Sequence, residues 1–235
     1  MKRVGLIIPS VNTVVEDEVL VRLSPHVHPH VTRLRLTGPH RRPLDEVLPA
    51  IEEASALLVD AGCELVVFHC TANSTENGED GESRILAALA RGGAAQVSST
   101  ATALKRALAA IGGRRIALVT PYTQEVTEHE THFLGEIGQD AIYAKGCDVG
   151  RLDYASTSVD YWIARLGEAR SSDADVYFLS CANIQSIGAI EPAEALLNRP
   201  VITSNQVIVW DTMTRLLGAA RAKGPGRLFT MDKEG

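Results

Sequence analysis

The chain has 235 residues, of which 45% are hydrophobic and 22% charged, with a formal net charge of −6. That length can bury a full core as one unit or two intimate subdomains, and the acidic balance, with no basic run interleaved with aromatics, excludes a nucleic-acid-binding surface. No stretch approaches the roughly 18 apolar residues of a membrane span, and in MKRVGLIIPS the apolar run ends too early, at Pro9, for a signal peptide, so a cytoplasmic protein without a membrane partner is expected.

In chain order, the hydrophobic periodicity predicts a strand over 4–8 and a helix near 13–23. The alternation of Val31, Leu34 and Leu36 marks a second strand. A helix over 43–61 begins with Pro43 at a favoured early position and ends before Gly62. Strand 64–69 then reaches Cys70. The polar, acidic stretch NSTENGEDGESR reads as a solvated loop over 73–83 that can serve as a lid, followed by a helix carrying Ile85, Leu86, Leu89 and Ala90. Strand 95–98 and helix 101–111 lead into strand 115–120, helix 124–137, strand 140–145, helix 156–170 and strand 174–180. Helix 183–197, strand 200–203 and helix 205–220 complete the pattern, and the tail GPGRLFTMDKEG reads as irregular, packing back or fraying. Strands separated by helices imply parallel sheets in an α/β fold.

The order repeats. Val4–Ser10 (VGLIIPS) reads against Ile116–Tyr122 (IALVTPY), and each run enters an acidic helical stretch, Glu16–Asp17–Glu18 or Glu128–His129–Glu130. Cys70 closes ELVVFHC and Cys181 closes DVYFLSC, at the same offset to within one residue. Such a unit is far longer than a solenoid repeat and points to duplication of a whole α/β subdomain. A thiol at the C-terminal tip of a central strand is where α/β folds put reactive groups. One in each half makes a cleft with a thiol on each wall.

Two such thiols allow two chemistries. A thiolate can add to an electron-poor double bond, giving a saturated adduct in which the former C=C rotates; or two thiols on opposite faces of an acidic Cα–H can remove and replace a proton. Both need a thiol poised as thiolate, which a following backbone N–H nest favours. Both also need groups that hold carboxylates and spread developing charge. The backbone N–H groups of Thr71, Ala72, Ala182 and Asn183 stand in the two cysteine turns, and Asn12 and Tyr122 at the tips of the matching first strands.

The ordered set IIPSVNT, CTANS, SCANIQS, STATALKRALAAIGGRRIALVTPY and RPVITSNQVIVWDTMTRLLG resembles the aspartate/glutamate racemase superfamily, in its maleate cis-trans isomerase and arylmalonate decarboxylase branch, over roughly residues 3–218. The resemblance implies two pseudo-symmetric α/β subdomains, each with a four-stranded parallel sheet flanked by helices, and an active site in the cleft between them. Residues 1–99 with 205–235 would form the first subdomain and 100–204 the second, the bridging and last helices crossing to the opposite one. It implies no metal, nucleotide or pyridoxal cofactor, a small carboxylate substrate, and a homo-oligomer, dimeric or higher. Carried over by resemblance, Cys70 is the nucleophile, Cys181 supplies or accepts the proton, and Asn12 and Tyr122 bind substrate carboxylate. Decarboxylases of this branch carry glycine at the first cysteine position, so Cys70 tells against decarboxylation. The polar turn after Cys70 departs from the apolar turn of many maleate isomerases and points to a different or larger acid. The KGCDVGRLD segment offers Asp148 where some relatives have an asparagine.

Plainer roles stand beside these. Cys63 and Cys147 read as structural thiols. His69 alternates to the strand face opposite Cys70 and packs there rather than serving it as a base. Asn12 suits a helix cap as well as a substrate site, Tyr122 a packing role with an exposed hydroxyl, and Asn205 and Gln206 a cap on the last helix. His26, His28 and His30 lie in a proline-rich stretch read as a solvated loop, not a metal site. Three functions remain open: a cofactor-independent isomerase of maleate or a maleate-like acid, an aspartate-, glutamate- or hydantoin-type racemase, and a dicarboxylate-binding protein.

Overall fold

The computed structural model describes residues 1–36 and 40–231. The first half builds β1 (Arg3–Pro9), a wide helical turn at Glu16–Leu20 running into α1 (Val21–Leu23), β2 (His28–Leu34), α2 (Leu44–Asp60), β3 (Leu65–Phe68), α3 (Thr71–Thr75), α4 (Gly78–Arg91) and β4 (Gln96–Ser99). Helix α5 (Thr100–Ile111) crosses to the second half: β5 (Arg115–Thr120), α6 (Gln124–Glu136), β6 (Asp140–Gly146), α7 (Val159–Glu168), β7 (Val176–Leu179), α8 (Ile190–Leu197), β8 (Val201–Thr203), α9 (Ser204–Leu217) and α10 (Leu228–Met231). The two four-stranded sheets have matching orders, β2-β1-β3-β4 and β6-β5-β7-β8, and every described pairing is parallel.

Strand alternation divides the interior into three cores. Val4, Leu6 and Ile8 of β1 and Ile116 and Leu118 of β5 point into one central core, which also takes Leu104 and Leu108 of α5 and Val207, Trp210 and Met213 of α9. Ile7 and Phe68 point the other way, onto Ile51 and Leu58 of α2 and Ile85 and Leu89 of α4. Ala117 and Val119 pack outward on Trp162 and Leu166 of α7. Because each inner strand is buried on both faces, it reads as a continuous apolar run; β1 alone has six successive buried residues. The three helices that follow β4, β5 and β8 are capped by side chains: the Ser99, Thr123 and Thr203 hydroxyls accept from Thr102, Val126 and Gln206.

Three expectations change. The acidic 73–83 stretch is helical, forming the end of α3 and the start of α4. Its Glu82 is buried against Ser99, Thr102 and Lys105, so burial and pairing of one carboxylate turn a polar run into packed helix. The predicted helix 183–197 begins only at Ile190. Residues before it spend their backbone N–H groups on Glu18, which accepts from Ser186 at 3.1 Å and Ile187 at 2.7 Å. His28 and His30 lie within β2, not in a loop. The described part of the tail packs back, one of the two outcomes expected of it: Leu228 and Phe229 are buried in the central core, and the Gln206 amide donates to the Pro225 carbonyl. Among the described residues, no helix is long and apolar enough to cross a membrane.

Candidate active site

The C-terminal ends of the inner strands of both sheets open onto one cavity of about 850 Å³. All eight sequence-predicted site residues line it: Asn12, Cys70, Thr71, Ala72, Tyr122, Cys181, Ala182 and Asn183. Cys70 follows β3 as the N-cap residue of α3, and Cys181 holds the matching place after β7. As the first residues past that cap, Thr71 and Ala72 have backbone N–H groups with no acceptor inside the helix.

The first-half loop and the second cysteine turn are laced together. The Asn12 carbonyl oxygen caps the wide helical turn, accepting from Val14 and Val15 at 3.0 Å each, while its amide nitrogen donates to the Ala182 carbonyl at 2.8 Å. The Asn183 side chain returns the contact by accepting from the Thr13 N–H at 3.0 Å. Capping and site-lining are therefore one job for Asn12, with one amide hydrogen left over.

Both thiols are protonated in this state. Burial pushes each up to about 12, and the charges of Glu130 and of neighbouring groups add to the effect. This corrects the expectation of a thiol poised as thiolate. Backbone N–H groups pull the other way: that of Asn73 at Cys70, and that of Asn183, 3.3 Å from the Cys181 sulfur. The Cys70 thiol donates to the Asn73 side-chain oxygen at 3.0 Å, and the Tyr122 hydroxyl lies beside Cys181 and stabilises its ionised form. Cys181 has a φ of 145°, outside the range that non-glycine residues ordinarily adopt.

His69 is no base for Cys70. Its Nδ1 meets the Thr100 hydroxyl and its Nε2 the Asn205 side-chain oxygen, each at 3.1 Å, and burial lowers its pKa to about 4. Asn205 also donates to the Ile184 carbonyl at 3.1 Å, so it holds the second cysteine loop rather than capping α9. Cys63 is buried in the core on the outer face of the first sheet, and Cys147 packs against the corresponding core of the second. Among the described residues, no group of three or more His, Cys, Asp or Glu could hold a metal ion.

Three contributors went unread in the sequence. Glu130 of α6, Arg41 and Tyr154 also line the cavity, with Arg41 paired to Glu76 and the Tyr154 ring 5.9 Å from that of Tyr122. Glu130 had a legible signal: it shares the inward face of α6 with Thr127, Phe133 and Leu134, where helical periodicity calls for an uncharged side chain. Arg41 and Tyr154 come from connecting segments without a periodic pattern.

A sequence profile of the arylmalonate decarboxylase family matches residues 4–229. The chain belongs to that family. Within it, the chain is 28% identical to an arylmalonate decarboxylase of Bordetella bronchiseptica, over 96% of its own length and 95% of the relative's. It is 26% identical to a maleate isomerase of Nocardia farcinica, over 99% and 97% respectively. The solved Nocardia farcinica maleate cis-trans isomerase bound to TRIS superposes with a TM-score of 0.89 at 25% identity, covering 99% of both chains. A cysteine-to-serine mutant of that isomerase, which carries a covalently bound succinylcysteine intermediate, superposes with a TM-score of 0.86 at 26% identity, over 97% of this chain and 98% of the other. Family membership, two matching sheets and one cavity thus agree with the resemblance carried by the sequence motifs.

Proposed function

We propose that the protein is a cofactor-independent cis-trans isomerase acting on maleate or a maleate-like acid by covalent cysteine addition. The observation that carries this reading is the pair of thiols, Cys70 and Cys181, at equivalent strand ends lining one cavity. Isomerase relatives, one of them with a succinylcysteine intermediate, support it.

In this mechanism the Cys70 thiol gives its proton to solvent as its sulfur adds to one alkene carbon, and the neighbouring carbon takes a proton from Cys181. The C=C bond becomes a single bond within a thioether, which rotates. The Cys181 thiolate then removes the proton, the C–S bond to Cys70 breaks, the Cys70 sulfur regains its proton from solvent, and the trans acid leaves. Asn12, with its spare amide hydrogen, and Tyr122 hold carboxylate. The free N–H groups of Thr71 and Ala72 stabilise the charge that develops as sulfur adds. Since both thiols rest protonated, substrate binding and these donors must bring the thiol proton affinity down.

A second reading is two-thiol racemisation, favoured by the matching placement of the two cysteines at equivalent strand ends on one cavity. One experiment separates the readings. Purified protein is given maleate, substituted maleates, arylmalonates and aspartate in deuterium oxide and followed by proton NMR. The isomerase produces trans acid and Cys70→Ala abolishes it; deuterium at Cα without isomerisation means racemisation, and loss of carbon dioxide means decarboxylation.

A further inference from the structure

Five carboxylates are buried among the described residues, and four of them accept hydrogen bonds or pair with a cation. Glu18 accepts from the Ser186 and Ile187 backbone and from Asn205. Glu82 takes Ser99, Thr102 and Lys105. Glu194 takes the backbone of Val201 and Arg227, and Asp211 takes Ser98, Arg106 and Arg215. Glu130 is the exception. It is 2% exposed, and neither carboxyl oxygen has a hydrogen-bond partner among the described residues.

The fold does not compensate Glu130 in another way. Among the described residues no basic side chain forms an ion pair with it; burial raises its pKa to about 7, opposed by the Ser180 hydroxyl. That hydroxyl faces it without a hydrogen bond of ordinary geometry and is itself unpartnered. Even a rotated Ser180 would leave one carboxyl oxygen uncommitted. Glu130 forms part of the cavity wall, and its charge is felt by Cys70, Cys181 and Tyr122 alike, so it stands where substrate meets the thiols. A buried acceptor without a donor is costly, and in a binding site it rejects ligands that leave it unpaired. A second carboxylate against it adds like-charge repulsion.

We propose that Glu130 selects the substrate: the group of the bound acid that faces α6 carries an N–H donor, amide or ammonium, where a plain dicarboxylate would place its second carboxylate. The substrate class is then the monoamide of a cis-enedioic acid, or a cis-enoic acid that ends in an ammonium group, with one carboxylate kept to activate the double bond. The alkene in that description rests on the isomerase reading; the donor facing Glu130 does not.

The test measures binding apart from turnover. Cys70→Ala protein is titrated by calorimetry at about pH 8 with maleate and with maleamate, its monoamide, at millimolar concentrations. Maleamate is expected to bind about tenfold or more tightly, and adding Glu130→Gln is expected to reduce the ratio to within about threefold, since a neutral amide no longer repels carboxylate. Equal binding of the two ligands to the Glu130-containing protein, or a preference for maleate, overturns the proposal without any need for the Glu130 variant to fold. A ratio untouched by Glu130→Gln in a folded variant also overturns it. Binding of neither ligand does so too. The protein with Cys70 intact is run in parallel by proton NMR: a maleamate preference without any trans product overturns the isomerase reading and leaves Glu130 as the selecting residue, whereas trans product from both acids at equal affinity does the reverse.

Discussion

The Ser204 hydroxyl accepts the backbone N–H of Cys181 at 3.1 Å. The same oxygen accepts the Thr71 hydroxyl at 2.9 Å, so one serine at the start of α9 ties both cysteine turns together. It also fixes the N–H of a residue whose φ of 145° must be imposed by its surroundings.

Ser204→Ala should therefore loosen both thiols at once. Two buried donors lose their acceptor, which costs about 1–3 kcal/mol each where no substitute forms. Urea denaturation is expected to register that loss. Isomerisation followed by NMR should fall mainly in kcat, because the reacting sulfurs are displaced more than the cavity walls that bind substrate.

Glu130 makes a pH prediction whose sign is opposite to that of an ordinary carboxylate. Its pKa rises from 4.5 to about 7 on folding, so between those values the folded chain holds more protons than the unfolded chain, and stability falls as pH rises. The cost is fully present above pH 7 and absent below about 4.5. Wild-type protein should lose on the order of 3 kcal/mol relative to Glu130→Gln between pH 5 and pH 8, read from denaturation midpoints at the two pH values. His69, lowered to about 4, contributes stability that is lost as pH falls below 6.5. It is common to both proteins and cancels in the comparison.

Glu18 couples the halves at a distance from the thiols. Its carboxylate gathers the Ser186 and Ile187 N–H groups and the Asn205 amide, and Asn205 in turn holds His69, the neighbour of Cys70. Glu18→Ala should cost about 3–5 kcal/mol, the range for stranding buried partners of a charged group. Glu18→Gln should recover part of this because its remaining oxygen still accepts. Thermal melting of the two variants checks the order.

Much of this arrangement was legible in the sequence because it is periodic or duplicated. The apolar runs before Cys70 and Cys181 and the shared offset of VGLIIPS and IALVTPY placed both thiols at strand ends, and all eight chosen residues line one cavity. What escaped was decided by partners distant in sequence. Composition alone makes Glu76–Glu82 a loop, yet Lys105 and two hydroxyls from the bridging helix region bury Glu82 and keep the segment helical. The SCANIQS segment looks helical until Glu18, in the other half, takes its N–H groups. Proton affinity was equally out of reach: strand-end position gave no measure of the burial that holds both thiols protonated.

The unequal tasks proposed for the two thiols can be caught in a single mass measurement. If Cys70 adds and Cys181 moves the proton, Cys181→Ser still permits addition but slows removal of the proton that must precede elimination. Turnover should drop by about 10²–10⁴-fold, the usual share of a positioned acid–base group, and the adduct should accumulate. Intact-protein mass spectrometry of Cys181→Ser incubated with maleate or maleamate should then show a gain of one substrate molecule, mapped by digestion to Cys70. Cys70→Ala should show none. Two-thiol racemisation gives a different pattern: neither variant gains mass, and each exchanges deuterium into only one enantiomer of an amino-acid substrate. An adduct on Cys181 in the Cys70→Ala protein would reverse the assignment, leaving the covalent route but exchanging the roles of the two walls.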